Sequence, residues 1–174
     1  MHTNRTKIYS ADCVELVTAD GAKLQWVDTL RYLGIFIISG KTFRVCFDNA
    51  KKTFYRAFNA VFGKIGRAAS EEVISSLIKS KCLPSLLFGI EACPLNKTEI
   101  RSLNFTVSRV LMKIFCTYSD TIIRECQDFF DFPSADNLVK NRTLTFLRKF
   151  SASNNVLCAA FAVEANRQLA IIQT

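Results

Sequence analysis

From Phe47 onward the apolar residues fall three and four apart. Phe47, Ala50, Phe54, Ala57, Phe58, Val61, Phe62 and Ile65 form one stripe, a spacing that a helix gathers on a single face. Gly63 and Gly66 mark its end. Lys52 and Arg56 are four apart, hence on one face, with Lys51 adjacent. The prediction is an amphipathic helix, aromatic inside and cationic outside.

The chain before this stripe has a different period. "VELVT" and "KLQWV" flank "ADGA" within Lys7 to Val27, and Asp20-Gly21 is a favoured pair where a tight hairpin needs positive φ. A polar break, Asp28-Thr29-Leu30, leads into "RYLGIFII", whose β-branched and aromatic residues predict a third strand. Gly34 inside that strand predicts a bulge or a close approach by another backbone.

Beyond the stripe the pattern stays helical. Ser70 is the expected N-cap of a helix whose first turn carries Glu71 and Glu72, where the macrodipole favours anions. That position accounts for the adjacent glutamates better than acid/base chemistry does. Pro84 disfavours an α conformation at Leu83 and predicts a kink or split. "NKTE" from Asn96 resembles a capping box, followed by the stripe Ile100, Leu103, Val107, Leu111 and Ile114. A shorter helix is expected from Asp120 to about Phe130, another after Pro133 and Ser134, and a helical or loosely ordered Ala-rich tail. The fold class is therefore α+β, predominantly α: short N-terminal antiparallel strands (7–40), a helical bundle (41–118) and a helical extension (119–174).

Charge is unevenly placed. The 174 residues carry 23 Lys and Arg against 15 Asp and Glu, for a net charge of +8. Most of the excess lies in residues 41–70, where Lys41, Arg44, Lys51, Lys52, Arg56, Lys64 and Arg67 face Asp48 alone. Such a segment suits an anionic partner, and a solvated helix face is the plain alternative. The 7 cysteines are widely spaced without a C-x-x-C, and His2 is the single imidazole. A zinc site is not expected; free, mostly buried thiols in an intracellular, unsecreted protein are. "CLPSLLFGIEACPL" is too short for a bilayer and is broken by Pro84, Glu91 and Pro94.

Convergent catalytic groups are missing from the sequence. One His cannot serve a Ser-His-Asp or Cys-His site, and no phosphate-cradling or dinucleotide glycine motif occurs. Asp128 and Asp131 are the nearest local pair for metal-assisted phosphoryl transfer, but they sit at an expected helix C-terminus, which disfavours anions unless a cation compensates. No enzyme is expected from these residues alone.

"LQWVDTLRYLGIFI", the basic Phe-rich helix, and "ASEEVISSLIKSKCLPSLLFGIEACPLNKTEIRSLNFTVSRVLMKIF" occur in that order. Over about Val14 to Phe132 the chain resembles the end of the reverse transcriptase of non-LTR (LINE-type) retrotransposons of the jockey and chicken-repeat kind. "RYLGI" and "KSKCLPSLLFGIEACPL" are the most specific pieces. The resemblance implies that Tyr32, Leu33 and Gly34 belong to the primer grip at the end of the palm, and that residues 41–116 belong to a helical thumb tracking the template-primer duplex. Arg44, Lys51, Lys52, Arg56, Lys64 and Arg67 are then the expected phosphate contacts.

The resemblance also implies what is absent. The parent enzyme uses magnesium held by an Asp of one palm strand and by an [FY]-A-D-D turn, and no such tetrapeptide occurs here; "YSAD" at Tyr9 to Asp12 does not supply the paired aspartates. A truncated RNA-directed DNA polymerase, inactive alone and needing no cofactor as a fragment, is the expectation. Its partner is an RNA–DNA hybrid or other nucleic acid duplex, without a membrane. The alternative is a small helical nucleic-acid-binding or protein-interaction module, self-associating through an exposed sheet edge.

Overall fold

The structure, a computed structural model, describes residues 16–66 and 68–173. The chain divides into two compact units, Met1–Phe47 and Asp48–Thr174. It is α+β and mostly helical.

In the first unit, Gly21 has φ +82° and the Thr18 N–H donates to the Ala22 carbonyl at 2.9 Å. Val17 and Lys23 form a single antiparallel bridge across this turn. The Asp20-Gly21 hairpin is thus present, although its flanks shrink to one bridge; the portion up to Glu15 lies outside the described residues.

A three-stranded antiparallel sheet follows: β1 (Thr29–Tyr32), β2 (Ile35–Ile38) and β3 (Arg44–Cys46), in that order. Here the structure corrects the sequence. "RYLGIFII" is two strands joined by a turn, not one strand with a bulge. Tyr32 pairs with Ile35, leaving Leu33 and Gly34 as a two-residue loop, with φ +47° and +86°. Positive φ at both central residues is the type I′ turn, whose twist matches that of a hairpin. The supposed polar break also moves, since Thr29 and Leu30 pair with Ile38 and Ile37. β3 lies inside the 41–118 segment assigned to the helical bundle, just before the stripe that begins at Phe47: Arg44–Cys46 pairs with Phe36–Ile38.

Leu33 is an unusual choice for this turn. It is 74% exposed, so no burial offsets the strain of a left-handed backbone at a residue with a Cβ, about 1 kcal/mol. Leu33→Asn is expected to stabilise the hairpin by about 0.5–1 kcal/mol. Slower amide exchange at Tyr32 and Ile35 would register it; unchanged or faster exchange would contradict the strain.

The second unit opens with α1 (Asp48–Ile65), whose Phe54 and Phe58 are buried. The predicted stripe faces inward, and α1 packs on α2 (Glu71–Leu77), a π-helical segment (Ile78–Cys82), α3 (Leu83–Leu86) and α4 (Lys97–Ile114). Ser70 caps α2 by accepting from the Val73 N–H at 3.5 Å, with Glu71 and Glu72 in the first turn.

The element is split at Pro84 as expected, into α2, the π-helical segment and α3, but not by excluding helix at the preceding residue. Leu83 is helical, at φ −55° and ψ −38°, and its N–H donates to the Ile78 carbonyl five residues back. The widened π turn lets the chain pass into α3 with Pro84 in its first turn, where a missing N–H leaves no intrahelical bond unmade.

Asn96 and Glu99 form a full capping box: the Asn96 side chain accepts from the Glu99 N–H, and the Glu99 carboxylate from the Asn96 N–H, both at 2.8 Å. This satisfies two donors at the start of α4 and contributes about 1 kcal/mol. α5 (Asp120–Phe129) and α6 (Ala135–Ser151, capped by Ser134) fall where predicted. The tail is helical, as α7 (Val156–Ala160) and α8 (Ala162–Gln173), with α8 packed on α6. Among the described residues no helix is long and apolar enough to cross a membrane. The described cysteines are free, but only Cys82 is buried; Cys116 is exposed and the others are half-buried, so thiol burial is less general than expected.

Candidate nucleic-acid interface

Burial of Phe54 and Phe58 fixes the orientation of α1 about its axis, and so decides which side chains reach solvent. Lys52, Arg56 and Lys64 are exposed. Lys52 and Arg56, one turn apart, point away from the core; Lys64 lies about 80° beyond Arg56 and about 120° from Lys52, at about 100° per residue. None forms an ion pair with a described residue. Lys51 is drawn aside: its ammonium lies 3.4 Å from the Asp48 carboxylate and its side chain is only 23% exposed. Lys51 is therefore a flank of the basic face and not its centre.

The sequence did not single out Lys113, near the end of α4. Its ammonium stands 5.4 Å from the Phe58 ring centre and 5.3 Å from that of Phe62, and donates to the Asn59 amide oxygen at 3.3 Å. Phe58 and Phe62 are stacked, with centroids 5.2 Å apart. An exposed cation over aromatic rings gains about 0.5–1 kcal/mol, so Lys113 ties α4 to α1 and adds a positive charge beside the Arg56–Asn59 face. Its only signal in the sequence was a lysine in a last helical turn, which the macrodipole explains without reference to α1.

The remaining sequence candidates separate. Arg44 is exposed on β3, in the first unit, and is not a member of the α1 face. Arg67 lies outside the described residues. Tyr32 ends β1 and is 60% exposed; Leu33 and Gly34 form the tip of the hairpin. The three thus share an exposed hairpin turn, with Leu33 more exposed than Tyr32. Such a tip suits contact with a larger molecule.

Asp128 and Asp131 do not make a metal centre. The Lys79 ammonium donates to the main-chain carbonyls of Phe130 (3.1 Å) and Asp131 (3.3 Å), supplying the compensating cation at the C-terminal end of α5. Asp131 itself adopts φ +46°, and the Phe132 N–H donates to the Gln127 carbonyl at 2.7 Å, a Schellman closure. These aspartates terminate a helix. Among the described residues no three His, Cys, Asp or Glu side chains converge to hold a metal ion.

Two thiols are shifted without being activated. Burial pushes Cys82 up, and burial, with Glu91 and Glu99 nearby, pushes Cys93 up. Both changes disfavour the thiolate, the nucleophilic form.

What these features define as a class is an α+β chain, mostly helical, with an exposed hairpin tip and one cationic helix face. Comparison with protein-family models, with curated proteins and with solved structures finds no match to the chain.

Proposed function

We propose that this chain is the primer-grip and thumb segment of a non-LTR retrotransposon reverse transcriptase, holding a template-primer duplex by its phosphates and performing no polymerisation alone. The observation that carries this reading is the outward pair Lys52 and Arg56 on α1, directly downstream of the "RYLGI" hairpin whose tip is Leu33-Gly34. Lysine and arginine contacts to phosphate release counterions and give affinity without base sequence. The wide, shallow minor groove of an A-like RNA–DNA hybrid suits a helix face. In this reading Tyr32 and Leu33 touch the primer strand, and Gly34 allows close backbone approach.

Magnesium-dependent transfer belongs to the [FY]-A-D-D aspartates of the parent family, which this sequence lacks, so no catalytic step is assigned to these residues. The purified chain, given a template-primer hybrid, nucleotides and magnesium, is expected to shift the hybrid without extending it; incorporation of nucleotides would contradict this.

A second reading, self-association through the sheet, is favoured by one observation. Among the described residues β1 is an edge strand, and every one of its residues is exposed, including Leu30 at 54% and Tyr32 at 60%. Exposed edges of this kind invite pairing with another chain.

A further inference from the structure

An open groove of about 1170 Å³ runs between α4 and α5, closed at one end by the 131–134 turn and the start of α6. That volume exceeds the range of about 300–1,000 Å³ usual for small-molecule sites and suits a stretch of polypeptide. Ile123 and Phe132, both buried, floor it beside half-buried Met112. Phe105 and Tyr118, 60% and 88% exposed, stand along its sides. The groove therefore offers an apolar floor between two aromatic side chains, inside a lining that is otherwise mostly polar.

The charge around the trough is opposite to that of the molecule. Asp120, Asp128, Asp131 and Asp136 outnumber Arg101 and Arg124 in the lining, whereas the whole chain carries +8. No salt bridge joins any of these side chains to a described residue. One wall is held firmly: the Asn104 amide donates to the Asp136 carboxylate, while its oxygen accepts from the Ala135 N–H at 2.9 Å. Asn104 thereby fixes the start of α6 against α4.

We propose that this groove docks a short segment of another protein, carrying one aromatic or aliphatic anchor flanked by lysines or arginines. The anchor occupies the trough over Ile123 and Phe132, and the flanking cations meet the aspartates. Charge complementarity selects this occupant. Phosphates would be repelled by the excess of carboxylates, and a cationic peptide meets a molecule of net charge +8, so long-range attraction does not favour it and its affinity must come from local contacts. The proposal is independent of the duplex-binding reading, whose residues lie on α1 and in the β1–β2 hairpin.

The probes are two short fluorescein-labelled peptides, one of lysine and leucine, one of glutamate and leucine, measured by anisotropy at low salt. The lysine peptide is expected to bind at least about tenfold more tightly. Its affinity should fall about tenfold in Asp120→Asn with Asp128→Asn, and further in Phe105→Ala; Phe105 and both aspartates are exposed, so these variants retain the fold. Equal binding of the two peptides, or unchanged affinity in the aspartate variant, would overturn the proposal. So would a dimer dissolved by the same changes, which would give the groove to a second copy. Loss of hybrid binding in Arg101→Ala with Arg124→Ala would give it to nucleic acid.

Discussion

Reversing Lys52 and Arg56 together, as Lys52→Glu with Arg56→Glu, is expected to weaken binding to an RNA–DNA hybrid by on the order of 100-fold at low salt. Two phosphate contacts become two repulsions on the face that burial of Phe54 and Phe58 turns outward. Both side chains are exposed, so the fold should be unaffected. The control reverses two exposed lysines elsewhere, Lys97 and Lys140, giving the same change in net charge. If the control loses as much affinity as the test variant, the effect is one of net charge and α1 is not the interface. If neither variant loses affinity, the duplex-binding reading fails at this face.

Phe54→Ala is expected to have the largest effect on stability, about 3–5 kcal/mol. The side chain is fully buried on a helix that packs against α2, the π-helical segment, α3 and α4, so its removal leaves a cavity at the centre of the second unit. A domain stable by about 5–15 kcal/mol loses much of its margin, and the melting temperature should fall by about 10–20 °C. Chemical denaturation gives the free energy directly. Phe54→Leu, which fills most of the volume, should cost much less. A Phe54→Ala protein as stable as the parent would show that the inward face of α1 is misassigned, and with it the outward face.

The helices were legible because each carries its own period or cap. Phe54 and Phe58 follow from spacing, the Asn96–Glu99 box from a tetrapeptide, and the starts of α2 and α6 from Ser70 and Ser134 beside helix-forming sequence. The strands were less so. A hairpin turn is usually announced by Asn or Asp before Gly, and Leu33 gives no such signal; "RYLGIFII" therefore resembles one continuous apolar strand until Tyr32 and Ile35 are seen to pair. β3 is only three residues long, below the length at which alternation can be distinguished from chance. Leu83 shows a third limit: the local bias against helix before Pro84 was real, but a π turn accommodated it at the level of hydrogen bonding.

For the interface, the sequence marked Lys52, Arg56 and Lys64 through charge and period. It did not show that Lys51 is drawn to the Asp48 carboxylate one turn back, or that Arg44 belongs to a strand. Lys113 is separated in sequence from Phe58 and Phe62 by α2, the π-helical segment, α3 and nearly all of α4. Only tertiary packing brings its ammonium to their rings.

The most direct test of duplex binding is the salt dependence of affinity for an RNA–DNA hybrid. With a few cations meeting phosphates, the logarithm of the association constant should fall linearly with the logarithm of salt concentration, with a slope of about −2 to −4. In the Lys52→Glu, Arg56→Glu variant the slope should shrink by about 2. A slope near zero, or no binding at low salt, would contradict the account.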